Sequence, residues 1–125
     1  MAKKILIIED DSFLQGLEAT KLQKEGYDVV TALNSIEAFK VIDDKKDEID
    51  LILLDLLLPE VDGFMILEKI RENKSLLTIP VIVFSNLSEE KDIKRAQKLG
   101  ISEFMVKSNF TLDELAKRIK DLIGL

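Results

Sequence analysis

Five side chains in this sequence have groups suited to holding a cation or an anion. They are Glu9 and Asp10 in "IIEDD", Asp55 in "LILLDLLLPEVDG", Ser85 in "VIVFS" and Lys107 in "FMVKS". Asp55 is the odd residue, because it interrupts the run Leu51–Leu58, which is otherwise aliphatic. Burying a lone carboxylate there costs several kcal/mol unless something nearby uses its charge. Two like charges about 4 Å apart repel by roughly 4 kcal/mol at an effective dielectric of about 20. A cluster of Glu9, Asp10 and Asp55 would therefore raise its pKa values or recruit a cation. The chain has no cysteine and no histidine, so oxygen ligands are what it offers. A hard cation suits them, and Mg²⁺ fits best.

The order of secondary-structure elements brings these residues together. "KKILIIE", "YDVVTA", "DLILLD", "IPVIVFS" and "SEFMVK" read as five strands, short and rich in aliphatic residues. A helix follows each. The first opens at the acids and Ser12 and closes at Gly26, with Leu14, Leu17 and Leu22 as sparse apolar positions. Ser35 is expected to cap the second, Asp62 to cap the third, which runs out near Asn73, and Ser88 to open the fourth, which stops at Gly100. Thr111 and Glu114 form a capping box for the fifth, whose stripe is Leu112, Leu115, Ile119 and Leu122. Five β–α units with buried strands imply a parallel sheet with helices on both faces. In such sheets chemistry sits beyond the C-terminal ends of the strands. Those ends carry Glu9 and Asp10, Asp55, Ser85 and Lys107, while the second strand ends in the unreactive Ala32 and Leu33.

The totals narrow the rest. A chain of 125 residues, 46% hydrophobic, is one domain's worth and is read as a single domain over 1–125. The apolar run Ile5–Ile8 is too short for a signal peptide, and no span suits a membrane helix, so a cytoplasmic location is expected. A net charge of −6 argues against direct nucleic-acid contact.

Together these features resemble the receiver domain of two-component response regulators, over essentially the whole chain. The resemblance rests on Glu9–Asp10, Asp55, Ser85 and Lys107 at the right strand ends, with Pro59 and Gly63 four and eight places after Asp55. It implies a flavodoxin-like doubly wound (βα)5 fold, α/β in class, with strand order 2-1-3-4-5. It implies that Asp55 is the phosphorylated nucleophile, served by Mg²⁺ that is bound by Asp10, Asp55 and the backbone carbonyl of Leu57. Glu9 would hold a metal-bound water. Lys107 would pair with one phosphoryl oxygen and Ser85 would hydrogen-bond another. Ser85 and Phe104 would form the switch: the hydroxyl moves toward the phosphoryl group and the aromatic ring fills the space left behind. The implied partners are a sensor histidine kinase or phosphotransfer protein and a downstream protein target or output domain. The implied coupled surface is helix 4, strand 5 and helix 5, and a phosphorylation-dependent homodimer through that face is left open by the sequence. Such a domain is not an enzyme toward other substrates; it catalyses its own phosphorylation and dephosphorylation. No output domain follows the fifth helix within this sequence, which fits either a stand-alone regulator or a receiver from a longer protein.

Several positions depart from the family pattern. Ser108 stands where most receivers have a cis proline, and a cis bond before serine costs about 3 kcal/mol, so a trans Lys107–Ser108 bond is expected. Asn86 is larger than the small residue that usually follows the hydroxyl, and is expected to crowd the phosphodonor. Leu57 and Leu87 cannot hold an attacking water, which implies slow autodephosphorylation.

Other functions fit less well. An aspartyl-phosphate phosphatase of the haloacid-dehalogenase type wants a second aspartate where this chain has Leu57. A flavodoxin needs a phosphate loop rich in hydroxyls and glycines after strand 1, where "EDDSF" is acidic. A receiver-like interaction module that is never phosphorylated remains as the alternative.

Overall fold

A computed structural model of the chain describes residues 2–125. The strands are β1 (Lys4–Ile8), β2 (Asp28–Ala32), β3 (Ile49–Leu54), β4 (Val81–Ser85) and β5 (Glu103–Val106). The helices are α1 (Ser12–Lys24), α2 (Ser35–Lys45), α3 (Gly63–Glu72), α4 (Glu90–Lys98) and α5 (Leu112–Ile123). Short 3-10 turns occupy Lys74–Leu76 and Lys107–Asn109. All strands pair in parallel, in the order β2-β1-β3-β4-β5.

Alternation along the strands fills two hydrophobic layers. Leu6, Ile52, Leu54 and Val83 point to the layer that holds Ala38 of α2, Ile66 and Leu67 of α3 and Ala96 of α4. Ile5, Ile7, Leu53 and Phe84 point to the opposite layer, against Leu22 of α1 and Leu115 and Ile119 of α5. Fully burying each such Leu or Ile is worth roughly 1.5–3 kcal/mol. The β3 run is therefore aliphatic on both faces because both faces are covered.

Helix ends follow local chemistry, with two departures from the sequence reading. Asp11 and Asp62 cap α1 and α3, accepting from the N–H of Leu14 and of Phe64. Thr111 and Glu114 form the reciprocal capping box of α5. Helix α2, however, is capped by Asn34, whose side chain accepts from Glu37 N at 2.9 Å. Ser35 is one residue too late: it is buried in the first turn, and its N–H donates to Glu60 at 2.9 Å. Ser88 does not open α4, which starts at Glu90 after Glu89 with no side-chain cap bond. The inner face of α1 carries Gln15, Glu18 and Leu22, whereas Leu17 faces solvent. Leu122 of α5 is likewise exposed. Gly100 stops α4 at φ +80°.

Gly63 is fixed by packing. A Cβ on it would overlap the Leu56 backbone, with the Leu56 carbonyl carbon only 2.7 Å away. The β3–α3 loop folds back on itself there, with a bridge between Leu57 and Asp62. The Lys107–Ser108 bond is trans, and no cis peptide occurs among the described residues.

Candidate functional site

The sheet register brings the acids together. Ile8 pairs with Leu54 and with Ala32, and the ladder runs one bond further on each side. Asp55 N donates to Ile8 O at 3.0 Å, and Glu9 N donates to Ala32 O at 3.1 Å. Glu9 and Asp55 thus leave adjacent strands at the same level. One carboxylate oxygen from each of Glu9, Asp10 and Asp55 lies within 4.8 Å of the other two. Glu9 and Asp55 are buried, while Asp10 faces solvent.

Lys107 resolves the problem posed by Asp55. Its Nζ donates to Asp55 Oδ2 at 2.7 Å and to Glu9 Oε1 in a shorter contact. The other oxygens are also satisfied: Leu57 N donates to Asp55 Oδ1 at 3.0 Å, and Asp11 N donates to Glu9 Oε2 at 3.2 Å. Burial opposes the Lys107 charge, but its hydrogen bonds to Asp55 and Glu9 outweigh that cost and hold its pKa above the ordinary lysine value. Burial pushes Glu9 up, with help from the Asp55 charge, and the Lys107 hydrogen bond only partly reverses this. The cluster holds three carboxyl groups against one ammonium, so it has capacity for a second cation. Its donors are all oxygens, as a hard divalent ion requires. The residues present therefore fit the metal that the sequence implied.

Ser85 ends β4 at the same edge of the sheet and is fully buried. Its Oγ accepts from Leu87 N at 3.3 Å. Phe104, half-buried on β5, packs against the layer beneath α4, opposite Val83 in register. Every site residue read from the sequence thus lies at or just below one edge.

Two residues, Gln15 and Glu18, and one contact of Asn86 were not anticipated. Gln15 Nε2 donates to Glu9 O at 3.1 Å and to Ala32 O at 2.9 Å, tying the ends of β1 and β2. Glu18, one turn later, is buried with Oε2 unpartnered. Burial, reinforced by the negative charge of Glu9, pushes its pKa up to about 8. Asn86 bonds the loop after β5. The spacing 15, 18, 22 was a helical face in the sequence, masked by its polar residues.

A doubly wound parallel sheet of five strands in this order is also the fold of solved receiver domains. The non-phosphorylated HemR receiver domain from Leptospira biflexa superposes with a TM-score of 0.88 at 29% identity, over 98% of this chain and 95% of that one. The chain belongs to the response regulator receiver domain family, whose sequence profile matches residues 5–120. It is 42% identical over 121 residues to the transcriptional regulatory protein KdpE of Staphylococcus aureus, covering 96% of this chain and 49% of KdpE. It is 34% identical over 123 residues to PhoP, the alkaline phosphatase synthesis transcriptional regulatory protein of Bacillus subtilis, covering 98% of this chain and 49% of PhoP. The chain spans about half the length of these curated relatives. Both relatives are transcriptional regulatory proteins. No helix among the described residues is long and apolar enough to cross a membrane.

Proposed function

We propose that this domain is a phosphoacceptor switch in which Asp55 takes a phosphoryl group from the phosphohistidine of a sensor kinase or phosphotransfer protein. The observation that carries this reading is the placement of Lys107 Nζ 2.7 Å from Asp55 Oδ2, inside a cluster that also holds Glu9 and Asp10. An Asp55 oxygen forms the new P–O bond as the P–N bond of the donor breaks. The leaving imidazole keeps the electron pair and takes a proton from solvent. Asp10, Asp55 and the Leu57 carbonyl would hold Mg²⁺, with Glu9 behind a bound water, and the ion would supply positive charge where the phosphoryl oxygens gather negative charge. Lys107 turns from carboxylate to phosphoryl oxygen as a mobile point charge. Ser85 gives up its bond from Leu87 N to donate to another phosphoryl oxygen.

That movement has a route outward. Phe104 lies on β5 opposite Val83, two residues before the Ser85 end of β4, and α4 is weakly held. Ala96 is its one buried residue, and its N-terminus lacks a side-chain cap. Repacking along α4, β5 and α5 then controls binding of a protein target or output domain, or a second copy of this chain. In this reading the domain works in the cytoplasm, turns over no other substrate, and leaves any contact with nucleic acid to other parts of a regulator.

The test is incubation with acetyl phosphate and Mg²⁺, read by intact mass. The wild type gains about 80 Da, one phosphoryl group, and Asp55→Asn does not. A wild type that stays at its starting mass would favour the alternative, an interaction module that is never phosphorylated.

A further inference from the structure

Two departures from the family pattern meet in one hydrogen bond. Asn86 Oδ1 accepts from the backbone N–H of Ser108 at 3.1 Å, joining the β4–α4 loop to the β5–α5 loop. Asn86 directly follows Ser85, and Ser108 directly follows Lys107. The bond therefore links the two loops that present the hydroxyl and the ammonium.

Lys107 has far to reach. It starts from the end of β5 and passes β4 to meet Asp55 on β3 and Glu9 on β1. Where its Nζ arrives depends on how its backbone is held, and little else holds it. Pairing of β4 with β5 stops at Val106. The following 3-10 turn has no side-chain cap and is closed by Phe110 N on Lys107 O at 3.4 Å, a long bond. A proline at 108 would stiffen this turn by fixing φ, but it would bring no N–H. Serine keeps the N–H, and Asn86 engages it.

We infer that Asn86 is a positioning residue for phosphoryl transfer: its carboxamide bonds Ser108 so that Lys107 and Ser85 address the phosphoryl group at a fixed spacing. This rests on the phosphoacceptor reading above. It also changes the expected role of Asn86, whose importance then lies in its acceptor oxygen and not in its bulk.

Three variants separate the two. Asn86→Leu keeps the bulk without the acceptor, Asn86→Ala removes both, and Asn86→Asp keeps the acceptor. Three quantities are measured: hydrogen exchange of the Ser108 amide in the unphosphorylated protein, the maximal phosphorylation rate at saturating acetyl phosphate and Mg²⁺, and Mg²⁺ affinity by titration. With one hydrogen bond lost, Leu and Ala variants should exchange the Ser108 amide about fivefold faster and phosphorylate about threefold to tenfold more slowly. Their Mg²⁺ affinity should stay at the wild-type value, and Asn86→Asp should keep Ser108 protected. A wild-type phosphorylation rate in Asn86→Leu, or unchanged Ser108 exchange across the series, would overturn the inference while leaving the proposed function standing. A wild type that takes up no phosphoryl group would overturn the proposed function itself, which the exchange data alone cannot do.

Discussion

Lys107 Nζ lies 2.7 Å from Asp55 Oδ2, although the two residues end strands separated by β4. The lysine side chain crosses the edge of the sheet almost wholly covered, at 13% exposure. Its ammonium is the internal counter-ion of a cluster that would otherwise be two buried like charges.

Lys107→Ala should therefore cost stability as well as activity. Removing one partner of a buried ion pair leaves the others unpaired, which typically costs about 3 kcal/mol. Urea denaturation without Mg²⁺ should show that loss, and millimolar-range Mg²⁺ should restore much of it by binding the same carboxylates. Phosphorylation by acetyl phosphate should still fall about 100-fold, because the ammonium that meets the phosphoryl oxygen is gone.

Glu18 makes stability depend on pH in an unusual direction. The buried carboxyl titrates near 8 in the fold, against an ordinary glutamate value of 4.5 in the unfolded chain. The protonated form is the one the fold prefers, so its contribution is intact below pH 4.5 and is lost as pH rises toward 8. Glu18→Gln should raise stability at pH 7 by on the order of 2 kcal/mol, allowing for the cost of burying the amide. Thermal melts from about pH 5 to about pH 8 should show the variant gaining on the wild type as pH rises. A constant offset would count against a neutral Glu18.

Gly63→Ala should be poorly tolerated. The added methyl would overlap the Leu56 backbone, which cannot rotate away as a side chain can. Lifting α3 off Leu56 should cost roughly 2–4 kcal/mol by urea denaturation. It would also disturb the Leu57–Asp62 bridge, so Mg²⁺ affinity should fall in the same variant.

Phospho-Asp55 should be long-lived. Leu57, whose N–H bonds Asp55, is half exposed, Leu87, whose N–H bonds Ser85, is partly buried, and neither side chain can orient a water. Loss of the phosphoryl group with Mg²⁺ present, followed by intact mass, should take minutes or longer. Leu57→Asn should speed it several-fold by offering the water a partner.

Much of this architecture was legible in the sequence because the strong signals were hydrophobic. Aliphatic strands in β–α alternation dictate a parallel sheet, and the polar residues that end them mark the edge where chemistry gathers. Boundaries set by a single side-chain bond were harder to read. Asn34 and Ser35 are both good caps, and Glu60, distant in sequence, takes the Ser35 N–H and leaves the cap to Asn34. Helix α1 misled for another reason: Leu14 and Leu17 looked like its core face, yet Gln15 turns inward to reach the Glu9 and Ala32 carbonyls. A buried Glu18 breaks the rule that acids face water, so no pattern of apolar residues could reveal it. The Asn86–Ser108 bond joins two residues that the sequence showed only as separate oddities.

The loop that carries Asp55 closes twice, once through Leu57 and Asp62 and again where Gly63 rests on Leu56. A circuit this tight has no slack for an added or missing residue. Its length is thereby frozen, and drift or engineering can retune the acceptor's surroundings only by exchanging outward-facing side chains such as those of Leu57 and Pro59.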